Sequence, residues 1–141
     1  MPPGEAAYRA GVLVLGVGIS TAIHALGHIG GGKLVGSPMD ELLFTAIRGV
    51  NIYHGDQTAV PGYAHQGRAL GGPALNLLVY AALALPLPLT APGLSADVLA
   101  SVASTSLFMG AGGLLPLPSV DGQVIWREVR RWAAARRHAK T

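Results

Sequence analysis

The chain has 141 residues and a formal net charge of +3; half of its residues are hydrophobic, 12% are charged, 20 are glycine and none is cysteine. That charged share is about half of the roughly 25% usual in soluble domains, which favours a membrane protein over a water-soluble globule, and the length fits one domain, residues 1–141. Without cysteine there are no disulfides or thiolate metal sites, so any metal must be held by His, Asp or Glu.

The opening Met1-Pro2-Pro3-Gly4-Glu5 reads as polar and frayed. Residues 6–32 are almost uncharged apart from Arg9. They are long enough to cross the ~30 Å hydrocarbon core, which needs about 20 residues. A signal peptide has a shorter apolar region of about 7–15 residues, so a spanning helix is the better reading. Gly16, Gly18 and Gly27 let neighbouring helices approach, and the run Gly30-Gly31-Gly32 is expected to end the helix.

Residues 33–68 form a polar segment. Within it, 42–47 and 50–53 are rich in β-formers, and Arg48-Gly49 between them suits a two-residue hairpin turn. A second span is predicted over 69–89, with Pro73 in its first turn, where a missing N–H does no harm. After the connector at 90–93, a third span covers 95–115, and Pro116 and Pro118 interrupt it. Residues 123–139 predict a basic amphipathic helix, with Ile125, Val129, Trp126 and Trp132 on its less polar sides.

The expected fold class is therefore an all-α polytopic membrane protein with three transmembrane helices, a small cytoplasmic β-hairpin segment and a C-terminal basic amphipathic helix. Arg127, Arg130, Arg131, Arg136, Arg137 and Lys140 are opposed in that last helix by Glu128 alone. Such a tail marks the cytoplasmic face, which puts the N-terminus outside and the C-terminus in the cytoplasm. Nucleic acid is not the expected partner, because the basic residues lack the interleaved aromatics that stack bases. The lipid bilayer is.

His24 and His28 stand four apart near the end of the first span, one helical turn above the other. Two imidazoles at that spacing can hold one metal ion, and polar groups inside a membrane are costly and usually functional. The stretch His24-Ala25-Leu26-Gly27-His28 fits the zinc-protease pattern H-E-x-x-H except that Ala25 stands in the place of the glutamate. A catalytic zinc needs a third protein ligand. Asp121, behind the proline-broken stretch, suits that role, and it also suits capping the helix that follows.

Three stretches in order resemble the site-2 protease family of intramembrane zinc metalloproteases. They are His24-x-x-x-His28, Gly72-Pro73-Ala74-Leu75-Asn76, and Leu114-Leu115-Pro116-Leu117-Pro118-Ser119-Val120-Asp121-Gly122. The family carries H-E-x-x-H on one core helix, G-P-x-x-N opening the next, and N-x-x-P-x-x-x-L/V-D-G in the third. The resemblance covers nearly the whole chain and implies a minimal core. It implies zinc held by His24, His28 and Asp121, and Asn76 close to the metal, where it steadies a substrate or a developing oxyanion; an interhelical hydrogen bond is the alternative for Asn76. It further implies that the hairpin receives an extended segment of a partner as an added strand.

The sequence departs from the family at two positions. Gly113 stands where the third motif has asparagine, and Ala25 replaces the group that takes the proton from water and returns it to the leaving amine. Asp40, Glu41, Asp56, His54 and His65 are the nearby groups that could substitute, Glu41 first. The expected function is thus zinc-dependent hydrolysis of peptide bonds in transmembrane or juxtamembrane segments of membrane proteins, inactive or very slow as written. The alternative is a non-enzymatic pseudoprotease that binds or escorts such proteins. A metal transporter is disfavoured, because no ladder of acids or histidines crosses the membrane.

Overall fold

The computed structural model describes residues 2–44 and 49–138. Helix α1 (Pro3–Leu34) is followed by the antiparallel strands β1 (Glu41–Phe44) and β2 (Gly49–Ile52) and a short 3-10 turn at Gln57–Ala59. Helices α2 (Gly62–Ala84), α3 (Leu94–Gly113) and α4 (Asp121–His138) complete the chain. By length and composition α1, α3 and the stretch Gly62–Leu89 can each cross a membrane. The three pack on one another, and α4 lies against α2.

Helix α1 starts earlier than expected because Pro3 takes a first-turn position and Glu5 pairs with Arg9 at 2.5 Å. It also passes through Gly30-Gly31-Gly32 and ends only at Val35 and Gly36, where Gly36 has φ +68°. The expectation that the glycine run ends the helix is corrected. These glycines are a packing surface. A Cβ at Gly27 would overlap the Gly71 carbonyl, and one at Gly31 the Gly67 carbonyl.

Helix α2 begins at Gly62 rather than near 69, so the last residues of the expected polar segment are helical. Pro73 consequently lies inside the helix and not in its first turn. Its buried ring packs against Gly113 of α3. The hairpin pairs Glu41 with Ile52 through Phe44 with Gly49. Gly49 therefore belongs to β2, while Arg48 and the end of the expected first strand, 45–47, lie outside the described residues. Helix α4 starts two residues before the expected boundary, at Asp121.

Among the described residues the bundle interior is notably polar for its size. Ser20 donates to the Val102 carbonyl at 3.2 Å, its hydroxyl lies 3.2 Å from that of Ser106, and Asn76 Nδ2 donates to the Ser20 carbonyl at 3.3 Å. Leu13, Val14, Leu78 and Phe108 face outward, as lipid-facing side chains do. Gly27→Ala should cost at least the ~1–3 kcal/mol typical of overpacking, because backbone rather than a flexible side chain blocks the new methyl. Gly18→Ala, which meets nothing within 4 Å, serves as the neutral control. Equal unfolding midpoints in detergent for the two variants would count against this helix contact.

Candidate metal centre

His24 and His28 leave the same face of α1, with ring centroids 4.7 Å apart and planes at 83°. Asp121 reaches them from the start of α4. Its Oδ2 lies 3.1 Å from His24 Nε2 and its Oδ1 3.4 Å from His28 Nε2. One ligand atom from each of the three lies within 4.8 Å of the others. Nitrogen and oxygen ligands about 2.0–2.1 Å from a tetrahedral zinc stand roughly 3.3–3.4 Å from each other. The two histidine–carboxylate separations lie near that edge length, each to a different oxygen of Asp121, and the chemistry of the donor set suits such an ion.

The protonation pattern fits as well. His28 Nδ1 lies 2.7 Å from the Arg68 carbonyl, which can only accept, so Nδ1 carries a hydrogen and Nε2 is the nitrogen turned to Asp121. Burial pushes the Asp121 carboxyl up, and the hydrogen bonds from His24 and His28 outweigh it, bringing the pKa down to about 2. Asp121 is therefore an anion here. Its carboxylate turns to the histidines and not to the backbone of its own helix. At the same helix start, the Ser119 N–H donates to Gln123 Oε1 at 3.2 Å.

Backbone closure shapes the rest. A Cβ at Gly72 would meet both Nε2 atoms, so α2 covers the site where only glycine leaves room for the rings. At Gly113 a Cβ would meet Pro73 Cγ at 2.9 Å and Asp121 Oδ2 at 3.6 Å. The close approach of α3 to Pro73 accounts for a residue without a side chain in this place. Ala25 is 5% exposed, on α1 between the two histidines.

Asn76 follows Gly72 by one turn and is fully buried. Its amide makes the interhelical bond to Ser20, and no hydrogen bond joins it to the three clustered residues. The proposed substitutes for the missing glutamate are held elsewhere. Glu41 pairs with His54 Nε2 at 2.9 Å, Asp40 accepts from the His54 N–H at 2.7 Å, and Asp56 accepts from the Thr58 N–H at 2.8 Å. The Glu41 bond raises the His54 pKa, and the Thr58 bond lowers that of Asp56. His65 alone of that group lines the cavity of about 150 Å³ beside His28 and Asp121.

Two residues passed over in the sequence belong to this neighbourhood. Gly72 carried a signal, as the first residue of its motif. Arg68 carried almost none, since in sequence it ends a polar segment, whereas in the fold it lies within α2. Gly72→Ala should lower affinity for zinc or cobalt at least ~10-fold, within the range that displaced supporting groups cost. Gly112→Ala, with nothing within 4 Å, should leave it unchanged. Titration of the purified chain with cobalt, followed by its visible absorption, reads both.

Neither a protein-family model nor a curated protein sequence matches the chain. Among solved structures it is similar to the site-2 protease from Methanocaldococcus jannaschii, with a TM-score of 0.69 and 22% sequence identity. The match covers 84% of this chain and 53% of that one, so the chain spans about half the length of the protease. The chain is a membrane protein with the fold of a site-2 protease.

Proposed function

We propose that the chain is a zinc-binding member of the intramembrane metalloprotease family whose hydrolytic machinery lacks its proton-transfer group. The spacing of His24 Nε2, His28 Nε2 and the Asp121 carboxylate carries this reading, on a fold shared with a site-2 protease. His24, His28 and Asp121 would hold the ion. Zinc, when bound, polarises a peptide carbonyl and acidifies water. The Arg68 carbonyl keeps His28 in the ligating tautomer, and Gly72 closes the site from above.

The substrates of this reading are transmembrane or juxtamembrane segments of membrane proteins, received beside the hairpin. The arginines of α4 put the C-terminus in the cytoplasm and the N-terminus outside. Asn76 donates one amide hydrogen to Ser20, and the second is the one that a substrate or oxyanion contact would use. Alanine at position 25 can neither accept nor return a proton. Loss of such a group costs ~10²–10⁴ in rate, so the chain as written is inactive or very slow.

A second reading follows from the same residue. With Ala25 buried and Glu41, Asp40 and Asp56 engaged in the hairpin region, no carboxylate among the described residues stands in for the glutamate. That favours a pseudoprotease that binds or escorts membrane proteins without cutting them.

Purified protein should contain about one zinc per chain, lost in His28→Ala. In proteoliposomes with a reporter transmembrane substrate, Ala25→Glu should raise cleavage by roughly 10²–10⁴. No bound zinc would overturn the metal reading. Equal cleavage by both forms would overturn the role given to position 25, and tight binding without cleavage by either would favour the pseudoprotease.

A further inference from the structure

Among the described residues, no carboxylate side chain pairs with the buried cation Arg68. It is 7% exposed in the second turn of α2. A guanidinium has five N–H donors. Its Nε donates to the Ser37 carbonyl at 2.7 Å, one terminal nitrogen to Gln57 Oε1 at 2.8 Å and the other to Ser37 Oγ. All three acceptors are neutral. Its face lies 4.0 Å from the centre of the Tyr53 ring, again without compensating charge. Among the described residues none of the carboxylate side chains forms an ion pair with it. The acid sharing its cavity, Asp121, is committed to the two histidines.

Buried charges are ordinarily paired, because an isolated ion in a low-dielectric setting is costly. Glu128 shows the ordinary solution in this same molecule: equally buried, it pairs with Arg127 at 3.0 Å and Arg131 at 2.9 Å. Arg68 differs in having space beside it. It lines the cavity of about 150 Å³ next to His28 and Asp121, together with Asn51, Tyr53, Gln57 and His65. Asn51 and Tyr53 can each donate a hydrogen bond, while the His65 Nε2 hydrogen is already given to the Gln57 carbonyl at 3.2 Å. Asn51 in β2 and Tyr53 just after it both line this cavity, on the outgoing side of the hairpin.

We propose that this cavity is a carboxylate subsite, in which Arg68 receives the acidic side chain of an extended partner segment lying along β2 beside the candidate metal centre. The planar fork of a guanidinium matches a carboxylate, and two of its N–H groups remain beyond those given to Ser37 and Gln57. An extended segment sends alternate side chains to one face, so a single acidic residue can enter the cavity while its neighbours stay outside. The subsite deepens the membrane-segment reading above by naming what the segment carries. It does not require zinc.

Binding should therefore be measured on the full chain in detergent after metal removal, with end-capped apolar peptides that differ only in one Glu or Gln, and separately with acetate. The Glu peptide should bind at least about tenfold tighter than the Gln peptide, and Arg68→Gln should abolish that preference. Asn51→Leu, which keeps the strand and removes a donor, should weaken the Glu peptide even if Arg68→Gln does not fold. Preference for the Glu peptide identifies a side chain of a partner as the source. Acetate binding that depends on Arg68, without that preference, identifies a free carboxylate and still upholds the subsite. No response to either probe, or a Glu preference that persists in folded Arg68→Gln, overturns it. Zinc content, read independently, distinguishes this failure from failure of the metal reading.

Discussion

Contact between the backbones of α1 and α2 is the constraint on which the site depends. Lipid tails are as apolar as leucine, so hydrophobicity does not drive spanning helices together, and close packing of small residues must. Gly27 and Gly31 meet Gly67 and Gly71 without intervening side chains. Because these helices touch there, the next residue of α2, Gly72, lies directly over the Nε2 atoms of His24 and His28. The same approach brings the Arg68 carbonyl to His28 Nδ1. A bulkier seam would lift α2 away and release both restraints.

The third side chain arrives by a different route. Helix α3 ends at Gly113 against Pro73, and the proline-containing connector contains Ser119 at φ +66°, a left-handed conformation that non-glycine residues seldom adopt. That bend starts α4 beside the histidines instead of beyond them. The Trp126 indole then donates to the Leu114 carbonyl at 3.0 Å, and buried Glu128 sits against Gly62 at the start of α2. Helix α4 is thus fixed at its first two turns, where Asp121 needs it, while its later arginines remain exposed.

Polar groups in the interior sort into satisfied and unsatisfied ones. Ser20, Ser106 and Asn76 tie the three spans together. Glu128 has its two arginines. His24 Nδ1, Asn76 Oδ1 and Ser101 Oγ, all buried, lack a hydrogen-bond partner among the described residues, and no carboxylate side chain there pairs with Arg68. Two of these groups, His24 Nδ1 and Arg68, belong to the candidate metal centre or the cavity beside it, while Ser101 lies on α3 against Gly16.

Composition and the apolar runs were enough to read three spans, a hairpin and a basic final helix, because lipid imposes length and polarity directly on the sequence. The i, i+4 histidines were legible for a similar reason, since helical period alone puts them on one face. Asp121 was legible through its motif, but its distance to the rings was not. Boundaries set by packing were hidden: glycines 30–32 look like a stop signal, and Pro73 looks like a start, until a neighbouring helix makes each part of a contact. Arg68 was hidden most completely. The sequence determined how many helices cross and which residues are costly to bury; only the tertiary structure decided where the helices end, that no carboxylate side chain among the described residues pairs with the arginine, and that it stands beside the histidines, because those relations join segments far apart in the chain through contacts with no local period.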